Sequence, residues 1–240
     1  MHSGSSSRRG FIKACTAIAG FSALSADRAV LPAFAFEEAP RVKLVDKTGE
    51  PLKAAALELH ENYTFLYPFI STPCLLLRLG ERAARGVELP LENAGVYRWP
   101  GGVGKNGDVV AYLAICTHAL TYNGKRASFL TYNHNPNRIS GHARAITCCA
   151  HASIYDPASG AKVLGGPAPF PLAAIQLLHD AASDELTAAG LIGNEPIERF
   201  FAVQKESLIA DFGRGGYRQR ISGTATVLPL KEYSDEAVQC

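Results

Sequence analysis

Four side chains with metal-binding chemistry stand in two short segments, Cys116-Thr117-His118 and Cys148-Cys149-Ala150-His151. Together they offer two thiolates and two imidazoles from two loops. Soft sulfur suits a ferric ion that stays oxidised. Neutral imidazole adds no negative charge, so it suits an iron that takes up an electron and raises its potential. The same four could close around zinc, although zinc pairs normally begin with two closely spaced cysteines rather than Cys-x-His. The second segment runs on through Ser153, Tyr155 and Asp156, and Gly165-Gly166-Pro167-Ala168-Pro169 follows.

This arrangement resembles the Rieske family, whose pattern is C-x-H on one loop, C-x-x-H on a second, and a proline loop over a [2Fe–2S] cluster. The resemblance implies that Cys116 and Cys148 bind the inner iron and that His118 and His151 bind the outer one. It implies that Ser153 and Tyr155 donate hydrogen bonds to a bridging sulfide and a ligand sulfur, which stabilises the added electron. Both hydroxyls point to the upper half of the Rieske range of roughly −150 to +300 mV. Gly165 to Pro169 corresponds to the loop that keeps water off the sulfurs. The implied fold is mainly β, a Rieske-type antiparallel basal domain with a small cluster-binding subdomain inserted at about residues 111–172.

The chain departs from that pattern in its cysteines. Many family members join the two loops by a disulfide, but the corresponding positions here are Thr121 and Ala150. Cys149 has no evident partner. Cys74 and Cys240 are left to form a disulfide in an oxidising compartment, pinning the tail to the Cys74 strand. The 29 residues between His118 and Cys148 exceed the usual spacing, and their centre, Asn133 to Arg138, reads as a polar surface loop. His60, His134, His142 and His179 read as surface or satisfied histidines rather than ligands.

The positioning elements are short strands separated by turns. Cys74 to Leu79 and Val109 to Ile115 are continuous apolar runs, suited to buried strands. Ala173–Leu178 and Leu186–Leu191 read as a returning pair around Asp180–Asp184. Trp99 to Gly107 is a loop that no regular element tolerates. Glu195 to Ala210 reads as one helix with Phe200, Phe201, Leu208 and Ile209 on its apolar side.

Of the 240 residues, 47% are hydrophobic, enough to bury a real core. Charge is unevenly placed. The first 35 residues hold Arg8, Arg9, Lys13 and Arg28 against Asp27 alone. Removing them from totals of 24 cations and 22 anions leaves 20 and 21, so the remainder carries about −1. Such a body has no basic stripe for a phosphate backbone, which excludes nucleic acid as a partner. Ser7-Arg8-Arg9-Gly10-Phe11-Ile12-Lys13, followed by the apolar Ala14 to Ala26, looks like a twin-arginine export signal. Ala33-Phe34-Ala35 offers a cleavage site, and Cys15 would leave with the leader. Thirteen apolar residues fall short of the roughly 20 needed to span a bilayer, which disfavours permanent anchoring. The expected location is the periplasm.

Three functional readings compete. Ser71 to Gly80, and Pro100-Gly101-Gly102-Val103-Gly104 leading to Cys116, resemble the small subunit of arsenite oxidase-type molybdopterin oxidoreductases. That resemblance implies an electron relay between a large molybdopterin subunit and a cytochrome c or similar partner. The second reading is the Rieske subunit of a quinol-oxidising cytochrome bc complex. The third is a non-redox exported zinc-binding protein. No acid, base or nucleophile set is evident, so any catalysis would belong to a complex.

Overall fold

The computed structural model describes residues 36–240, with side chains from Ala39 onward; the segment read as a twin-arginine leader, with Cys15, lies outside the described residues. The strands are β1 (Phe36–Val45), β2 (Tyr63–Leu66), β3 (Pro73–Arg78), β4 (Val87–Pro90), β5 (Val96–Trp99), β6 (Val109–Leu113), β7 (Ala127–Ser128) and β8 (Leu130–Asn133). They continue with β9 (Ala145–Cys148), β10 (Ser153–Asp156), β11 (Lys162–Gly165), β12 (Ala174–His179) and β13 (Leu186–Ile192). After the helices α1 (Ile197–Val203) and α2 (Lys205–Phe212) come β14 (Thr224–Thr226), β15 (Leu228–Pro229), α3 (Leu230–Tyr233) and β16 (Glu236–Ala237).

The protein is mainly β, as the sequence predicts. Eight strands form one sheet in the order β14-β1-β13-β12-β6-β3-β2-β15. All its pairings are antiparallel except β1 with β14. Between β6 and β12 in the chain lies a second antiparallel sheet, β11-β10-β9-β8.

The apolar runs of β3 and β6 reflect a sheet covered on both faces. Side chains alternate along a strand. Cys74 and Leu76, with Val109, Ala111 and Leu113, join one core, together with Phe200, Phe201 and Leu208. Leu75 and Leu77, with Val110, Tyr112 and Ala114, join a second core that contains Leu130, Ile146 and Tyr155 from the smaller sheet. Tyr112 fastens the two layers by donating its hydroxyl to the Pro157 carbonyl at 2.7 Å.

One expectation is corrected. The segment 195–210 is two helices, with Gln204 closing α1 and opening α2 at φ −95°, ψ 12°. Its side-chain amide donates to the Leu120 carbonyl at 3.2 Å, which ties the break to the loop after His118. The apolar side is as expected, with Phe200, Phe201 and Leu208 buried. The polar centre of the 29-residue spacer is loop over residues 134–144, as expected. Before it, Leu130-Thr131-Tyr132-Asn133 alternates buried and half-buried positions and pairs with β9.

Phe200 is fully buried, edge-on to Tyr122 at 5.0 Å. Phe200→Ala is expected to lower unfolding free energy by about 3–5 kcal/mol, the usual cost of emptying an aromatic core site. Urea titration of the purified variant measures it.

Candidate metal centre

Cys116 extends the alternation of β6. Val110, Tyr112 and Ala114 face the second core, and Cys116 faces it too, with no measurable exposure. Past it the chain turns tightly. The Leu120 N–H donates to the Cys116 carbonyl at 3.0 Å, and the Cys116 N–H to the Thr121 carbonyl at 2.8 Å. The turn carries His118 outward into solvent.

The second segment is a hairpin. Cys148 ends β9, Ser153 begins β10, and the two are paired. The four-residue connection carries His151 outward, closed by the Ala152 N–H on the Cys148 carbonyl at 2.9 Å. Both loops therefore close from the fifth residue back to the cysteine. In both, that fifth residue is non-glycine in the left-handed region: Leu120 at φ 55° and Ala152 at φ 60°. Such residues are uncommon and persist where the surroundings impose them.

The loops bring the four candidate ligands together as two pairs. The Cys116 and Cys148 thiols are buried within hydrogen-bonding reach of each other. The His118 and His151 rings, both solvent-exposed, sit edge to face with centroids 4.9 Å apart. Among the described residues, no three His, Cys, Asp or Glu side chains converge as a single-ion site would require.

Hydrogen-bond donors gather at the sulfurs. The His118 N–H serves Cys116, and the N–H groups of Ala150 and His151 serve Cys148. Ser153 and Tyr155, two apart on β10, share one face. The Tyr155 hydroxyl lies 3.2 Å from Cys116 Sγ. The Ser153 hydroxyl lies near the same sulfur but makes no well-formed hydrogen bond, leaving a buried polar group free for a further acceptor. The neighbouring Cys148 thiol is the largest influence holding Cys116 well below the ordinary thiol value, with Tyr155, His118 and Ser153 adding to it against the effect of burial. Cys148 is pushed up, first by its hydrogen bond with Cys116 and then by burial. Burial likewise pushes Tyr155 up, so it stays a donor.

The third loop is laid against the other two. Thr117 Oγ1 donates to the Phe170 carbonyl at 2.7 Å. Gly166, at φ 80°, packs so closely that a Cβ there would stand 2.1 Å from the Ala152 carbonyl oxygen. The donor set, the open Ser153 hydroxyl and this fitted loop suit a two-iron, two-sulfide group with thiols at its buried end and imidazoles at its exposed end.

The other cysteines and histidines differ in part from expectation. Cys74 is buried and free, so the Cys74–Cys240 disulfide is not formed. The even positions of β3 face the apolar core, and its sulfur donates to the Tyr67 carbonyl at 3.3 Å. Cys240 is bonded instead to Cys149, with Cα atoms 5.2 Å apart, so Cys149 has a partner after all. The unmatched Cys149 and the terminal Cys240 were the available signal; the apolar run around Cys74 argued against its pairing. His60 stacks on His134 at 3.9 Å, a contact across some 70 residues that no local pattern announces. His179 is satisfied by Asp184 at 2.7 Å.

No family model matches the chain. Its fold is similar to the crystal structure of the soluble domain of the Rieske protein II (soxF) from Sulfolobus acidocaldarius, at 24% identity and a TM-score of 0.44, covering 64% of this chain and 78% of that one.

Two outcomes follow. Gly166→Ala should displace the third loop, and the amides of residues 150–153 should then exchange with deuterium at least about tenfold faster than in the parent, as a forced backbone shift requires. The second concerns His60, which burial and the His134 ring hold below the ordinary 6.5, against a smaller opposing effect of Glu81. A lowered histidine value means the unfolded chain binds the proton more readily. Its stabilising contribution is therefore present above about pH 6.5 and is lost as pH falls below that toward the folded value. His60→Asn removes the titration and suits the φ of 64°. Urea midpoints between pH 7.5 and 5.5 should fall less in this variant than in the parent.

Proposed function

We propose that the chain is an exported electron-transfer protein carrying one Rieske-type [2Fe–2S] cluster, with Cys116 and Cys148 on the inner iron and His118 and His151 on the outer. The observation that supports it most is the pairing itself: two buried thiols within reach of each other, and two exposed imidazoles 4.9 Å apart. A single tetrahedral zinc would need all four on one point. When bound, the cluster supplies reversible one-electron transfer. The chain's own residues do the rest. Tyr155 and Ser153 aim hydroxyls at the sulfur end, and the backbone N–H groups of His118, Ala150 and His151 offset negative charge there. The 166–170 loop covers the cysteine loops, and the two imidazole edges are left toward solvent, where a redox partner can approach.

The particular role we favour is the small subunit of an arsenite oxidase-like molybdopterin oxidoreductase in the periplasm, passing electrons to a cytochrome-type acceptor. The twin-arginine motif and the Pro100–Gly104 loop support it. One observation favours the quinol-oxidising alternative: a groove beside His118, lined by Leu120, Pro169 and Val203 and flanked by the Arg199–Glu92 ion pair, is apolar enough for a quinone ring. Among the described residues, no helix is long and apolar enough to cross a membrane.

Protein purified anaerobically should be coloured, contain iron and acid-labile sulfide in equal amounts, and give a Rieske EPR signal when reduced. His151→Ala, an exposed position, should stay soluble and lose that signal. A colourless, iron-free product after anaerobic reconstitution, or a full signal in the variant, would end the reading. Co-purification from the native host separates a molybdopterin partner from cytochromes b and c.

A further inference from the structure

The disulfide between Cys149 and Cys240 joins the last residue of the chain to the middle of the second metal loop, between Cys148 and His151. Residues 233–239, which precede that bond, lie against the segment 123–128 that follows the first metal loop. The Tyr233 hydroxyl donates to the Asn123 carbonyl at 3.4 Å, the Ser234 hydroxyl to the Gly124 carbonyl, and the Asp235 N–H to the Lys125 carbonyl at 2.7 Å. Strand β16 pairs in parallel with β7, and Ser234 bonds Ser128 through their buried hydroxyls.

These contacts hold the segment that leaves the first metal loop. Asn123, fully buried, donates its N–H to the Ala114 carbonyl, and its side chain accepts from Phe129 and Leu130. The circuit then closes on the second loop, because the Cys149 N–H donates to the Phe129 carbonyl at 2.8 Å. The tail thus touches the exit of one loop through hydrogen bonds and the centre of the other through a covalent bond.

We propose that residues 233–240 form a strap that positions both metal loops, with Cys240 as its covalent fastening. It takes the place of a direct loop-to-loop bridge, whose positions hold Thr121 and Ala150 in this chain. Cys240 acts through Cys149 on the ligands either side of it, so it is a positioning residue and not a ligand. The inference rests on the cluster reading above. A cluster that never forms in the parent protein would fail that reading; a cluster indifferent to the strap would fail this one alone.

The test compares full-length parent and Cys240→Ser, both loaded with cluster. The variant should bleach about tenfold faster in air, a modest share of what a disulfide closing so long a loop contributes. Its reduced EPR line should broaden or shift. Amide exchange should rise in residues 127–129 and 149–152 while β3 and β6 exchange as in the parent. If the variant does not accumulate, folded parent protein is reduced, alkylated at Cys149 and Cys240 alone as checked by mass spectrometry, reoxidised at the cluster and timed in the same way. Parental lifetime and spectrum, with faster exchange confined to 233–240, would overturn the proposal. A uniform rise across the basal sheet would overturn it too, since that marks a general stabiliser.

Discussion

Two sulfur atoms buried against each other set the terms for the rest of this site. Burial alone opposes ionisation of a thiol, and Cys74 shows the outcome within the same chain. With no exposure, and with its sulfur donating to the Tyr67 carbonyl, it is pushed well above the ordinary thiol value by desolvation. Cys116 is just as inaccessible but moves the other way, chiefly through its hydrogen bond with the Cys148 thiol, with Tyr155, the His118 N–H and Ser153 adding to it. Cys148 moves up in exchange, first through that same bond and then through burial. The tight turns after Cys116 and Cys148 aim backbone N–H groups at the sulfur of their own loops, which favours the ionised form of each.

Strand register explains how the two sulfurs meet. Cys116 reaches the second core because it lies an even number of residues from Val110 and Tyr112 on β6; a slip of one residue would send it to the opposite core with Leu113 and Ile115. Cys148, Ser153 and Tyr155 depend equally on the β9–β10 hairpin. Tyr112 constrains both systems through its bond to Pro157 across the layers. The precision of the site is therefore a property of the sheets, while the loops contribute donors and exposure.

Much of this was legible in the chain itself. The apolar runs at Cys74–Leu79 and Val109–Ile115 announced strands buried on both faces, and Cys-x-His with Cys-x-x-His marked the four side chains that the loops bring together as a thiol pair and an imidazole pair. Ser153 and Tyr155 were readable as well, being fixed by a short hairpin. What escaped was non-local or conformational. The pairing of Cys149 with Cys240 depends on a two-residue parallel strand contact and on buried serine hydroxyls, and neither leaves a periodic trace. The short strand at Leu130–Asn133 escaped as well, although Leu130 and Tyr132 alternate as a strand requires. The break at Gln204 lies within an unbroken apolar stripe, and the carbonyl of Leu120, 84 residues away, is what its side chain meets.

The asymmetry of the site also limits how a partner can recognise it. Sulfur, hydroxyl and backbone donors lie inside, so the imidazole rim is the face through which an electron would pass by the shortest route. That rim holds little net charge: Arg199 and Glu92 are paired to each other at 2.9 Å, and the groove beside His118 is otherwise lined by Thr117, Ala119, Leu120, Pro169 and Val203. Residues 36–240 carry only about one net negative charge. Long-range steering, which grows with a concentrated field of one sign, is correspondingly weak here. On the proposed reading, selection of a redox partner would then come from contact at the rim, where the two imidazoles stand. A loop fixed at its centre by a covalent bond meets that demand better than one held by packing alone.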